Sequence, residues 1–253
     1  MAKLAGHTFL ATLGKKRLRP GGIKATQWLL KEAKLNSSLK VLEVACNMGT
    51  TSIEMTKKYN LNLTSCDIDK NALEIAKANA KKKKVSHKIN FVYADALNLP
   101  FEDESFDVVI NEAMLTMQND KNKEKAISEY YRVLKKGGML LTHDVCLTKD
   151  DETFNKEIKA NLSRAINVHV EPLTVSKWTE TFEKQNFDKV TEINGPMSLM
   201  KPTGMIKDEG FINTFRIIKR ALKKENKTQF FTMFKTFKKY KKELGYIAVA
   251  SIK

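Results

Sequence analysis

The 253-residue chain is expected to fold as an α/β domain, with a mostly parallel sheet held between two layers of helices. Three observations predict this. Short apolar, β-prone runs recur at 41–44, 61–67, 89–96 and 106–110. Helical patterns at 51–59, 71–84 and 125–135 separate most of these runs from their successors. An acid also stands at or near the end of each of the first three runs: Glu43, Asp67 and Asp95. Runs of this kind suit strands buried on both faces, and helices between them return the chain to parallel neighbours.

With 42% hydrophobic residues, the chain can bury a full core. No apolar run approaches the roughly 20 residues needed to span a bilayer. The opening residues carry no signal-peptide apolar core, so a cytoplasmic location is the expectation. Cys46, Cys66 and Cys146 make an odd total without C-x-x-C spacing, which argues against both a disulfide framework and a zinc site. No metal is expected. A net charge of +16 points to a polyanionic partner such as nucleic acid, or to a solvated lysine-rich surface, and both readings stay open.

In chain order, residues 1–37 carry the basic run Lys15, Lys16, Arg17 and Arg19, then the turn Leu18-Arg-Pro-Gly-Gly22 and a helical pattern over 23–34. Residues 41–52 read as a buried strand, a tight loop of mostly small or turn-tolerant residues from Ala45 to Gly49, and the start of a helix that Thr50, Thr51 or Ser52 can cap. Glu43 and Asp67, carboxylates at adjacent strand ends beside a helix N-terminus, suit a nucleoside-bearing cofactor, because an acid accepts both hydrogen bonds of a ribose diol. The chain has no G-x-G-x-x-G run for a dinucleotide and no phosphate-binding G-x-x-x-x-G-K-[ST].

Asp69 is expected to cap the helix at 71–84, with Ala72, Ile75, Ala76 and Asn79 facing inward. An acidic turn at 102–107 leads to the fourth strand, which runs on to Asn111 and Glu112. The helix at 125–135 stops at Lys136-Gly-Gly138, and a fifth strand ends in His143 and Asp144. A histidine beside an acid at the sheet edge is either a general base or a local loop anchor. Helices at 150–168 and 176–185, a sixth strand at 187–194 and a last strand at 246–252 complete the chain. About fifty residues intervene between these two strands. Within them Phe211, Phe215, Ile218 and Leu222 mark one helical face, and Phe230, Met233, Phe234, Phe237 and Tyr240 another. These faces are expected to pack on the domain, to cap a substrate, or to meet RNA or a membrane surface.

The stretch Glu43-Val-Ala-Cys-Asn-Met-Gly49, and Leu-Pro-Phe101 followed by Ser-Phe-Asp-Val-Val109, resemble the class I S-adenosylmethionine-dependent methyltransferases, in particular the quinone- and sterol-modifying branch. Ala45 and Asn47 stand where that family usually has glycines. The resemblance covers residues 38–146. It implies a Rossmann-like three-layer sandwich with a seven-stranded, mostly parallel sheet. Residues 1–37 would form a helical lid and 38–253 the methyltransferase domain, with 196–244 as a helical substrate cap.

The implied cofactor is S-adenosyl-L-methionine. Its site would comprise Glu43, Ala45, Cys46, Asn47 and Gly49 of the loop, Asp67 at the ribose with Ile68 beside it, Asp95 and Ala96 at the adenine, Arg19 at the methionine carboxylate, and Asn111 at the rim. His143 or Glu112 would be the base where the acceptor must lose a proton. His7 would face the substrate.

The expected reaction is methyl transfer to a small hydrophobic or aromatic acceptor. The motif that grips a flipped base, Asn/Asp-Pro-Pro-Tyr/Phe, is absent from the strand ending at Asn111, and so is a nucleophilic Pro-Cys there. An RNA methyltransferase is the alternative, followed by a non-catalytic adenosyl-ligand binding protein and, more distantly, a nicotinamide oxidoreductase.

Overall fold

The computed structural model describes residues 3–253. Two helices, α1 (Gly6–Thr12) and α2 (Gly22–Glu32), precede the sheet. The chain then alternates β1 (Val41–Val44), α3 (Thr50–Tyr59), β2 (Leu63–Asp67), α4 (Lys70–Lys82), β3 (Ile89–Tyr93), β4 (Phe106–Glu112), α5 (Asp120–Val133) and β5 (Leu134–Leu147). After α6 (Glu152–Ile166) come a two-residue β6 (Leu173–Thr174), α7 (Val175–Glu183) and β7 (Lys189–Pro196). Three helices, α8 (Pro202–Glu209), α9 (Phe211–Ala221) and α10 (Lys224–Lys239), lie between β7 and the final β8 (Leu244–Ile252).

The strands pair in the order β3-β2-β1-β4-β5-β8-β7, with β6 beside β5. β1 to β5 run parallel, while β8 is antiparallel to both its neighbours. This is the expected Rossmann-like three-layer arrangement, and the short β6 brings the sheet to eight strands. Strand order reverses at β1, whose Val44 pairs with Cys66 on one side and Asn111 on the other. A crevice opens beyond the carboxyl ends of strands at such a reversal, and ligands bind there in open α/β sheets.

Both faces of the sheet are covered. Leu42, Val44, Val109 and Leu140 pack under α5 and α7 residues such as Tyr130 and Trp178. Val41, Val108, Ile110 and Leu141 pack under Leu29 of α2 and Met55 of α3. Asp69 caps α4 by accepting from the Asn71 and Ala72 amides, as expected. α5 starts earlier than its apolar pattern suggested, because the Asn119 side chain accepts from the Asn122 amide and caps a first turn made of polar residues.

Two inward faces differ from expectation. In α4 the buried residues are Ala72, Leu73, Ala76 and Ala80, while Ile75 is exposed. In α9 the face that packs on the domain is Thr214, Ile217 and Ala221; Phe211, Phe215, Ile218 and Leu222 face outward. Apolar periodicity identifies a helix face correctly without saying whether that face is covered.

The basic run of the N-terminal segment is neutralised within the fold. Lys15 is buried between Asp208 and Glu209, 3.8 Å from each, and Glu209 also accepts from the Lys16 and Arg17 amides at 2.7 and 2.9 Å. Arg17 pairs with Glu54. These contacts tie the segment between α1 and α2 to the end of α8.

Candidate active site

The loop between β1 and α3 needs left-handed backbone at alternate positions. Ala45, Asn47 and Gly49 have φ of 58°, 47° and 71°. That conformation suits glycine, is tolerated by asparagine and is strained for alanine. At Gly49 an added Cβ would also lie 3.1 Å from the Ala76 Cβ. Asp67 fixes the loop: one carboxylate oxygen accepts from the Asn47 amide at 2.8 Å and the other from the Asp69 amide at 2.9 Å.

These turns line a cleft at the strand reversal. Arg19, Glu43, Ala45, Cys46, Asn47, Asp67, Ile68 and Glu112 all lie on its wall. Gly49, Asp95, Ala96, Asn111 and His143 lie outside that wall. Gly49 shapes the turn from behind. Asp95 is exposed just beyond β3 and accepts from the Leu97 amide at 2.9 Å, with Ala96 in the same turn. Asn111 is fully buried, its Nδ2 directed at the Val44 carbonyl at 3.4 Å, so the expected rim position is corrected for this residue. Successive side chains on a strand point to opposite faces, which sends Glu112 to the cleft and Asn111 away from it.

Glu112 is the hub of a buried network. Its Oε2 lies 2.8 Å from Arg19 Nε and accepts from Thr51 Oγ1 at 2.9 Å; its Oε1 accepts from Thr26 Oγ1 at 2.5 Å and meets His143 Nδ1 at 3.1 Å. Burial alone would push this carboxyl up, but the Arg19 guanidinium, then His143, outweigh it and hold the group at about 2. His143 has no exposure, and its Nε2 accepts the Gly21 amide at 2.9 Å, so Nδ1 carries the proton donated to Glu112.

This arrangement corrects the expectation of His143 or Glu112 as the base. Both imidazole nitrogens are engaged, and both Glu112 carboxylate oxygens are already bonded to Arg19, Thr26, Thr51 and His143, so neither side chain has a free site for a substrate proton. The pair instead latches the turn before α2 onto β4 and β5. Glu43 contrasts with Glu112. It accepts from Ser52 Oγ and forms no ion pair among the described residues, and burial pushes its carboxyl up to about 7.

A second cavity adjoins the cleft, and His7, Leu18, Ala113 and Met117 line both. Its wall is apolar, with Leu10, Leu162, Val170, Met197, Leu199 and Phe237 prominent. Three side chains on that wall can hydrogen-bond: His7, Thr116 and Asp144. Asp144 is fully buried, accepting from the Thr116 amide at 3.1 Å and the Val145 amide at 2.8 Å, and burial raises its carboxyl. The buried Thr116 Oγ1 has no hydrogen-bond partner among the described residues. Burial lowers the imidazole of His7, against the opposing pull of Asp67 and Asp69, so it is neutral near pH 7.

Sequence reasoning singled out His143 and left Asp144 as its neighbour, although strand alternation assigns adjacent residues to opposite sides. The apolar chamber itself had no local signal, because its wall is drawn from α1, β5, α6, α10 and the segment after β7.

Comparisons with known proteins agree with this geometry. Residues 41–138 match a family described as a methyltransferase domain. An uncharacterized protein of Haemophilus influenzae is 51% identical over 248 residues, 98% of each chain. The demethylmenaquinone methyltransferase of Leptospira interrogans is 36% identical over 126 residues, 48% of this chain and 50% of its own length. The chain therefore spans about half of that relative. Among solved structures, the phosphoethanolamine N-methyltransferase 2 of Haemonchus contortus, in complex with phosphomonomethylethanolamine and S-adenosylhomocysteine, superimposes with a TM-score of 0.74 at 18% identity. That match covers 98% of this chain and 57% of the other. With its strand order, its loop after β1 and its acid-lined cleft at the strand reversal, the chain belongs to the class I S-adenosylmethionine-dependent methyltransferases.

Proposed function

We propose that this enzyme methylates a small acceptor with a hydrophobic or aromatic body, held in the apolar chamber beside the cofactor cleft. The observation that carries the reading is the shared wall of the two cavities at His7, Leu18, Ala113 and Met117, with apolar lining on the acceptor side. The cleft's donors and acceptors suit S-adenosylmethionine. Asp67 has lone pairs remaining for the ribose diol, and Arg19 Nη2 has no protein partner among the described residues, which suits it to the methionine carboxylate. Ile68 would cover the cofactor, and the Asp95–Ala96 turn would meet the adenine edge.

The bound cofactor supplies a methyl group activated by a sulfonium, open to in-line attack. The chain's own contribution is to align the acceptor and exclude water. His7, neutral at the junction of the two cavities, would take the proton of an acceptor hydroxyl or amine. Asp144 and Thr116 would orient a polar group on an otherwise apolar molecule. The Leptospira relative, named for demethylmenaquinone, fits an acceptor of this kind. The net charge favours RNA as a second reading, though Lys15 and Arg17 of the N-terminal basic run are already paired within the fold.

The test is methyl transfer from labelled S-adenosylmethionine to a panel of a naphthoquinol, a simple phenol, phosphoethanolamine and mixed RNA. The reading expects label on an aromatic acceptor. Leu199→Trp, which fills the chamber alone, should abolish that transfer, and His7→Gln should slow it by at least about a hundredfold. Label on phosphoethanolamine or RNA only would contradict it.

A further inference from the structure

Among the described residues, the outward face of α9 gathers Phe211, Ile212, Phe215, Ile218 and Leu222 into an apolar stripe that the fold leaves open. Phe211, Ile212 and Phe215 are 74%, 68% and 64% exposed, and Ile218 and Leu222 continue the stripe along one side of the helix. Five large apolar side chains on a single helix face exceed the scattered exposed residues of an ordinary soluble surface. Arg216, Lys219 and Lys223 border the stripe, all exposed. None of the three takes part in an ion pair among the described residues, in contrast to the basic run at Lys15 and Arg17. At 100° per residue, Arg216 and Lys219 fall on the side of the stripe away from the buried Thr214, Ile217 and Ala221, and Lys223 follows at the turn into α10.

We infer that α9 docks the enzyme on an anionic lipid surface, with the Phe211–Phe215 stripe entering the headgroup boundary and Arg216, Lys219 and Lys223 meeting lipid phosphates. Charge selects this occupant. A second copy of the chain would bring the same cationic border toward itself, on a protein of net charge +16. RNA would use aromatic faces for stacking, whereas Ile212, Ile218 and Leu222 offer bases nothing to stack on. An apolar stripe with cations alongside is the pattern of helices that lie in the membrane interface.

The docking face is mechanically close to the chamber. Ile217 and Ala221 pack in one cluster with Phe9, Leu10 and Leu13, and Arg220 Nη1 donates to the Leu13 carbonyl at 3.0 Å. Leu10 also lines the chamber. A lipid surface under α9 would thus lie next to the helix that closes the acceptor site.

Co-sedimentation of the full-length enzyme with vesicles of phosphatidylcholine alone, or mixed with phosphatidylglycerol, tests the inference. Binding is expected to the mixed vesicles and to weaken with salt. Phe211→Ser/Phe215→Ser should weaken it at least about tenfold, and Lys219→Gln/Lys223→Gln about tenfold or more. These side chains are exposed, so both variants should keep the wild-type melting temperature and S-adenosylhomocysteine affinity; that second readout separates failure of docking from failure of the cofactor site. No vesicle binding, equal binding by the phenylalanine variant, a dimer that dissociates in that variant while vesicles stay free, or retention of RNA in place of vesicles would each overturn it.

Discussion

The two cavities that meet at His7 are built in opposite ways. The cofactor cleft is formed by consecutive strand ends and one loop, is rich in carboxylates and hydrogen bonds, and is drawn mostly from residues 43–69 with Glu112. The acceptor chamber is formed by segments from residue 6 to residue 237, is almost wholly apolar, and has one buried carboxyl in its wall. Local sequence can encode most of the first, since strand register and turn chemistry place its groups between residues 43 and 69, while His7 and Arg19 reach it from the N-terminal segment. The second exists only once α1, α6 and α10 have packed together. On the proposed reading, the cofactor and the acceptor fall to differently built cavities that share the wall at His7, Leu18, Ala113 and Met117.

The Glu112 network joins the N-terminal segment to the sheet, and removing its cation should produce the largest effect. Arg19→Ala would leave a buried carboxylate without its charge partner, at a cost of about 3 kcal/mol near pH 7 by urea denaturation. The sign of the pH dependence follows from the depressed carboxyl. Its stabilisation is present above the ordinary value of 4.5 and is lost as pH falls toward about 2. The variant should show a shallower acid loss than the wild type. A wild-type-like acid limb in Arg19→Ala would mean that the pair does not hold Glu112 ionised.

Glu43 supplies the opposite sign within the same cleft. Its carboxyl is raised by burial, so its contribution to stability is present below 4.5 and is lost as pH rises through about 7. Glu43→Gln keeps an acceptor for Ser52 without the charge, and should gain about 1 to 3 kcal/mol over the wild type above pH 8, with little difference below pH 5. An identical pH profile in the two proteins would show that water reaches Glu43.

The smallest expected change lies in the loop. Ala45 holds a left-handed φ of 58°, so Ala45→Gly should raise stability by about 0.5 to 1 kcal/mol, the relieved strain being partly offset by greater unfolded-chain freedom. A loss of stability would mean that the alanine methyl makes contacts worth more than the strain.

The same division explains what could be read from sequence. The strands in chain order, the acids Glu43 and Asp67, and the small and turn-tolerant residues at 45, 47 and 49 follow from local patterns of apolar runs and punctuating residues. The His143 network was not legible as such. Its partners Gly21, Thr26 and Glu112 are remote in sequence, and nothing local says that both imidazole nitrogens will be occupied. Asp144 was visible only as the acid beside His143, since its place in the chamber wall depends on which face α6 and α10 enclose. The α9 stripe was visible as a face, but its exposure depends on how α8 to α10 pack.

The central claim, that cofactor and acceptor occupy separately built cavities, is tested most directly by calorimetric titration of S-adenosylhomocysteine into wild type, Asp67→Ala and Leu199→Trp. Wild type is expected to bind, with an affinity lowered about a hundredfold in Asp67→Ala through the lost carboxylate bonds and unchanged in Leu199→Trp. Equal weakening in both variants, or undiminished binding by Asp67→Ala, would contradict it.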